Sequence, residues 1–235
     1  MRKVSCVVVA FHCCQGLILH QRNDFCAHRK SRGRGGFALD AARSQYGTQE
    51  YWQSMYEGQG DHNAEEYSWY YGWDVLKRHW EYAVPDKSAN ILVPGIGNEP
   101  TLLDMFASGW KRITAFDYAP AAIERQRALL EYDTRALESI DLHVWDATKL
   151  PVGDSIFDAV LEKGALDAIF LSGEEQMEVA ISELRRVLVP QGRLVSCSGV
   201  IPDETRRLIF PETHWKWLRD GTDDLQAGCF VLEKI

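Results

Sequence analysis

The sequence predicts an α/β protein: a doubly wound, mostly parallel seven-stranded sheet that finishes in an antiparallel C-terminal strand pair. Three observations carry this. From Pro85 onward short apolar runs alternate with helical stretches, which implies parallel strands joined by crossovers. Proline and glycine punctuate those stretches where helices start and stop. The last two apolar runs flank Gly221 to Gly228 with no room for a helix, so they pair antiparallel.

In chain order, Ile91 to Val93 is the first strand, followed by a glycine turn. Thr101 to Ala107 is a helix opened by Pro100, whose fixed φ and missing N–H suit the first helical position, and it is closed by Gly109. Ile113 to Phe116 is the second strand, and Pro120 to about Ala136 a proline-opened helix. Leu142 to Trp145 and Phe157 to Leu161 are further strands. Glu174 to Leu188 is an amphipathic helix, and Arg193 to Ser198 is a strand after the Pro190/Gly192 stop. His214 to Leu218 and Cys229 to Glu233 form the terminal pair. Upstream, residues 49–82 are crowded with aromatics, and Trp69, Trp73, Leu76 and Trp80 fall on one helical face that packs on something larger.

With 235 residues, 46% of them hydrophobic and 26% charged, the chain suits one globular domain and excludes collagen-like or mostly disordered readings. Four of the six cysteines lie in the first 26 residues and no CxxC occurs, so neither a disulfide framework nor a zinc site is expected. His62, His79, His143 and His214 are isolated, and no metal is expected on them. Cys197 reads as a small buried hydrophobe.

Residues 1–39 hold seven Lys/Arg and one acid, leaving 19 basic against 33 acidic residues in the rest, or −14. So acidic a body lacks the clustered Lys/Arg that nucleic acid requires, and it favours basic partners. The stretch Val4 to Leu19, interrupted by His12 and Gln15, is too short and too polar for a transmembrane helix. With the Arg-rich run ending in RGRGG (32–36) it reads as a leader: an organelle-type presequence or an over-extended gene start, the plain alternative being an extension without a role. Residues 1–43 are therefore set apart from a folded unit at 44–235, whose first part (44–85) forms an aromatic cap. The expected location is intracellular, cytoplasmic unless the leader directs the chain to an organelle.

In an open α/β sheet the ligand crevice lies beyond the carboxyl ends of the strands. There the first strand enters Gly95-Ile96-Gly97-Asn98, a turn whose glycines let a ligand approach the backbone. Asp117 ends the second strand 20 residues beyond Gly97, the spacing at which a carboxylate accepts ribose hydroxyls. This pair fits both nicotinamide dinucleotides and S-adenosylmethionine. Pro100 stands where a dinucleotide turn usually has its third glycine, which argues against NAD. Asp146, followed by Ala147, ends the third strand beside Trp145, where it would meet an adenine amino group. Glu162 ends the fourth strand, either at the crevice or as a brace for the turn and a partner for Lys163. Asp167 reads as structural, pairing with local backbone or Lys163.

The motifs EYWQSMYEG (50–58), YSWYYGWDVL (67–76), ILVPGIGNEP (91–100), ITAFDY (113–118), WDATKLP (145–151), FDAVLEKGALDAIF (157–170) and ELRRVLVPQGRLVSCS (183–198) resemble a known group. These are the class I, seven-stranded S-adenosylmethionine-dependent methyltransferases, and within them the eukaryotic elongation factor 1A lysine methyltransferases and their methyltransferase-like relatives. The resemblance spans residues 47–235, and its most specific part is the EKGALDA run. It implies S-adenosylmethionine as cofactor, with Gly95 and Gly97 at the methionine moiety, Asp117 at the ribose and Asp146 and Ala147 at the adenine, and with Asn98, Tyr118 and Glu162 also among the cofactor-binding residues. It places Glu162, Trp69 and Tyr70 at the transferred methyl, and the acceptor would be a lysine of a basic protein.

The sequence departs from the family pattern at Ile96, Glu99, Met55, Tyr71 and Ala165, where Cys, a small residue, Arg, Gly and Thr are usual. Met55 and Tyr71 fall in the segment expected to close over the substrate, so they bear on substrate identity rather than fold. Two other functions stay open: a small-molecule methyltransferase, and a non-catalytic module that keeps the crevice. For the chemistry, alignment and exclusion of water matter most, and a carboxylate with aromatic walls suits an amine acceptor.

Overall fold

In the computed structural model, residues 45–60, 67–221 and 227–235 are described. The leader expected at residues 1–43 lies outside them. A short turn at Gln45–Gly47 leads into helix α1 (Gln49–Ser54), which widens into a π-type turn over Met55–Gln59. Helix α2 is Trp73–Ala83, and then strands and helices alternate as expected. They are β1 (Asn90–Pro94), α3 (Thr101–Ala107), β2 (Arg112–Asp117), α4 (Pro120–Leu130), α5 (Thr134–Ser139), β3 (Asp141–Val144) and β4 (Phe157–Lys163). There follow α6 (Ala165–Ser172), α7 (Glu174–Val187), β5 (Leu188–Ser198), α8 (Asp203–Ile209), β6 (Trp215–Asp220) and β7 (Gly228–Lys234).

One seven-stranded sheet results, in the order β3-β2-β1-β4-β5-β7-β6. All pairings are parallel except those of β7, which runs antiparallel to both β5 and β6. The strand order reverses direction at β1, so the crevice opens where β1 and β4 lie side by side. Strand residues alternate between faces. Ile91, Val93, Ala159 and Leu161 join Leu76, Trp80, Met105 and Ile123 on one side of the sheet. Leu92, Val160 and Leu194 join Leu166, Met177, Ile181 and Leu184 on the other. Helices therefore cover both faces. No helix among the described residues is long and apolar enough to cross a membrane.

Several expectations are corrected. The helix proposed over Pro120 to Ala136 is two helices, broken after Leu130, with the Asp133 carboxylate capping the second at the Arg135 N–H (3.0 Å). Trp69 is not on the helical face of Trp73, Leu76 and Trp80. Tyr70 has φ 66° and Gly72 is extended, so the helix starts at Trp73. Trp69 packs instead on Trp52, Tyr67 and Tyr46, with ring centroids 5.6, 5.1 and 6.3 Å away. Helices α6 and α8 have no counterpart among the elements the sequence predicts. Strand β5 starts at Leu188 rather than Arg193, and its register against β4 shifts between Phe157 and Ala159.

Cys197 is buried as expected, and so is its cross-strand partner Cys229, their sulfurs 3.9 Å apart. Of the two departures at the cap, Met55 is fully buried in a cluster with Tyr56 and Ala122, and Tyr71 packs on the main core.

Candidate active site

The glycine turn after β1 holds Gly95 at φ 59° and Gly97 at φ 62°, a region that glycine enters without the cost other residues bear. A Cβ on Gly95 would come within 2.4 Å of the Ala165 Cβ, and one on Gly97 within 2.9 Å of the Tyr56 hydroxyl. The turn therefore needs glycine for both conformation and space. Gln126 holds it from behind: its Nε2 donates to the carbonyls of Gly97 (3.0 Å) and Glu99 (2.8 Å). Gln126 sits in the buried stripe of α4 with Ala122, Ile123 and Leu130, and a polar residue in an apolar stripe was the signal for it.

Asp117 ends β2 beside this turn. Its Oδ2 accepts the Gly97 N–H and its Oδ1 the Ala119 N–H, both at 3.0 Å. Burial pushes its pKa up to about 6, because the surrounding N–H donors offset only part of the desolvation. Tyr118 is half-buried, and burial together with Asp117 raises its pKa. Asn98 is buried in the turn. The Trp145 N–H donates to the Asp117 carbonyl (3.1 Å), which brings the end of β3 alongside. Asp146 is exposed there, its Oδ1 accepting the Thr148 N–H (2.8 Å) and hydroxyl (2.7 Å), and Ala147 is partly buried next to it. The His143 ring stacks on Trp145 at 4.1 Å, a flat surface that isolated residues did not reveal in the sequence. The glycine turn, Asp117, Tyr118, Asp146 and Ala147 thus line the carboxyl ends of neighbouring strands. Two glycines that keep side chains off the backbone, followed by a buried carboxylate, fit a nucleoside-bearing cofactor.

The acceptor side is built differently from expectation. Glu162 is completely buried: its Oε1 accepts the Leu166 N–H (2.9 Å) and its Oε2 the Ser196 hydroxyl (2.6 Å). Burial, with Asp167 nearby, raises its pKa to about 7. In this arrangement the carboxyl braces the start of α6 rather than facing an incoming acceptor. Of the two readings of Glu162, these contacts match the brace of the turn. Lys163, the next residue along the strand, points to the other face and pairs with Glu99, not with Glu162 or Asp167.

Tyr70 occupies the crest of the sheet. Its ring sits between Gly164 after β4 and Gly199 after β5, where built Cβ atoms would meet it at 3.4 and 3.0 Å. Its hydroxyl donates to Asp167. Asp167 also accepts the Ser198 hydroxyl (2.5 Å) and the N–H groups of Gly199 (3.0 Å) and Ile201 (3.2 Å), so it organises the loop after β5. Buried Arg206 closes this network, its Nη2 donating to Ser198 Oγ (3.0 Å) and the Ile201 carbonyl (2.8 Å), with the guanidinium over the Phe230 ring. Trp69 and Tyr70 both lie against Gly164, just after β4.

The comparisons with known proteins decide among the remaining cofactor readings. A methyltransferase-domain family matches residues 92–196. EEF1A lysine methyltransferase 4 of Bos taurus is 30% identical over 200 residues, covering 79% of this chain and 74% of that protein. The chain belongs to the S-adenosylmethionine-dependent methyltransferases. EEF1A lysine methyltransferase 2 of Homo sapiens is likewise 30% identical over 182 residues, covering 72% and 73% of the two chains. Among solved structures, the N-methyltransferase NodS of Bradyrhizobium japonicum bound to S-adenosyl-L-homocysteine superposes with TM-score 0.53 at 18% identity, over 68% of this chain and 86% of that one. The methyltransferase takes S-adenosylmethionine as cofactor, which supplies an electrophilic methyl on a sulfonium. The chain's own part is to hold the reactants, align them and exclude water.

Proposed function

We propose that this methyltransferase modifies the ε-amine of a lysine on a basic protein, with elongation factor 1A as the acceptor to test first. The observation that carries the reading is the 30% identity to an EEF1A lysine methyltransferase across 74% of that protein. The molecule supports it in two ways. Tyr70 lies against Gly164 and Gly199, after β4 and β5, with Trp69 beside it, and aromatic surfaces attract alkyl-ammonium groups. Residues 40–235 carry 19 basic against 33 acidic side chains, which draws a basic surface toward them.

In this reading Gly95, Gly97, Asn98, Asp117, Tyr118, Asp146 and Ala147 hold the cofactor. Trp69 and Tyr70 wall the acceptor chain, while Glu162 and Asp167 fix that wall from beneath. Residues 44–235 form the working unit, acting inside the cell, in the cytoplasm unless residues 1–43 direct it elsewhere. The test is transfer of labelled methyl from S-adenosylmethionine into a cell lysate resolved by size, followed by fragment-ion spectrometry of labelled species. Label on lysine of a protein in the elongation-factor size range is the expected result. Label confined to metabolites or nucleic acid refutes the acceptor and leaves the methyltransferase assignment standing.

A further inference from the structure

Beside the cofactor turn lies a buried ion pair that the reaction as described leaves unused. Glu99 follows the GIGN turn, and Lys163 ends β4; their side chains are only 6% and 7% exposed. Glu99 Oε2 receives the Lys163 ammonium and the Ser68 hydroxyl (2.7 Å), and its Oε1 receives the Thr101 hydroxyl (2.6 Å). Lys163 Nζ also donates to the Trp69 carbonyl (2.7 Å) and to Ser68 Oγ (3.3 Å). The cluster is thus closed, joining the cofactor turn, the end of β4 and the segment that carries Trp69 and Tyr70.

A buried pair of this kind is a poor source of stability, since desolvation offsets much of the attraction. What it fixes is geometry. The backbone at Tyr70, with φ 66°, lies where a side-chain-bearing residue is disfavoured, so the surroundings must hold it. Two anchors do so: Lys163 on the Trp69 carbonyl, and Asp167 on the Tyr70 hydroxyl. On the opposite side, Gln126 grips the carbonyls of both Gly97 and Glu99. The cofactor turn and the aromatic wall are therefore tied to one another through Glu99 and Lys163.

We propose that Glu99 and Lys163 are positioning residues for methyl transfer: a buried latch that sets the Trp69–Tyr70 wall relative to the cofactor turn. The proposal rests on the reading that Trp69 and Tyr70 wall the acceptor.

The test uses the full chain with S-adenosylmethionine and recombinant elongation factor 1A, comparing Glu99→Gln, Lys163→Met and the double variant. Each single change leaves a buried charge unpaired and lowers the melting temperature, whereas the double variant removes both charges and recovers it to within about 3 °C. Turnover is expected to stay down on the order of 10²-fold in Lys163→Met and in the double variant, because the Trp69 carbonyl has lost its anchor there, and to fall less in Glu99→Gln, which keeps the Lys163 ammonium on that carbonyl, with KM for S-adenosylmethionine nearly unchanged in each. A double variant that regains both melting temperature and turnover overturns the proposal, since the pair would then be a brace only. Should the double variant fail to fold, Glu99→Asp decides: it keeps the charges and shortens the arm, and unchanged turnover overturns the latch. Amide hydrogen exchange with S-adenosylhomocysteine bound gives an arm independent of the acceptor. Lys163→Met should speed exchange at Tyr70 and Tyr71 on the order of tenfold, and unchanged protection there also overturns the latch. If the wild-type chain methylates no protein, the acceptor reading fails while the exchange arm still decides the latch.

Discussion

Glu162→Gln should make the protein more stable at alkaline pH, although it alters a fully buried polar contact. The folded pKa is raised from 4.5 to about 7 by burial and by Asp167, with Ser196, the Leu166 N–H and Arg206 pulling the other way. For an acid raised on folding, stability is fully present below the unfolded value and is lost as pH rises through the folded one. A carboxyl moved from 4.5 to about 7 therefore costs the fold about 3 kcal/mol once it is ionised. Glutamine keeps both contacts: its Oε1 accepts from Leu166, and its amide donates to the Ser196 hydroxyl, which rotates to accept. At pH 4 the variant and wild type should melt together. At pH 8 the variant should melt higher by roughly 6 to 12 °C for a domain of this size. Asp117 is also raised, to about 6, but it is common to both proteins and cancels in the difference. Calorimetry across pH 4 to 8 checks this, with methyl transfer measured on the same samples. A difference in melting temperature that stays flat with pH, or a variant less stable at pH 8, refutes the buried-carboxyl argument. Turnover should remain within about threefold of wild type if the group only braces α6, and a larger loss restores it to the chemistry.

Three further outcomes follow from the same geometry. S-adenosylmethionine at 100 times its dissociation constant should stabilise the protein by about 2.7 kcal/mol and NAD should not, in thermal melts; Asp117→Ala should weaken that shift, and an equal response to NAD would sink the cofactor site. Gly95→Ala should abolish cofactor binding by calorimetric titration and lower stability by about 1–3 kcal/mol, since it combines positive φ with overlap on Ala165; wild-type affinity would show that the turn is not the cradle. Asp167→Asn should destabilise by about 1–3 kcal/mol in urea unfolding, because an amide N–H₂ replaces an acceptor among the donors of Tyr70, Ser198 and Gly199, and a neutral result would contradict the loop-organising role.

The sequence by itself determined the layered α/β sheet, its antiparallel finish, the glycine turn and the spacing of Asp117. Those follow from local rules: apolar periodicity, proline and glycine punctuation, and a carboxylate a fixed distance along the chain from a turn. It also placed Glu162 and Lys163 at the end of the right strand, with Asp167 a few residues beyond. Only the tertiary structure decided what they touch. Lys163 meets Glu99 across 64 residues of chain, and Asp167 meets Tyr70 across 97, so neither pairing leaves a periodic trace. Trp69 left the helical face it matched because Tyr70 and Gly72 adopt backbone conformations that interrupt a helix. Glu162 turned inward because the pleat sends successive side chains to opposite faces, and its own face is closed by Ser196 and the first turn of α6. Periodicity specifies which residues are buried in a sheet, whereas the partners of a buried charge are specified by loops converging from distant parts of the chain.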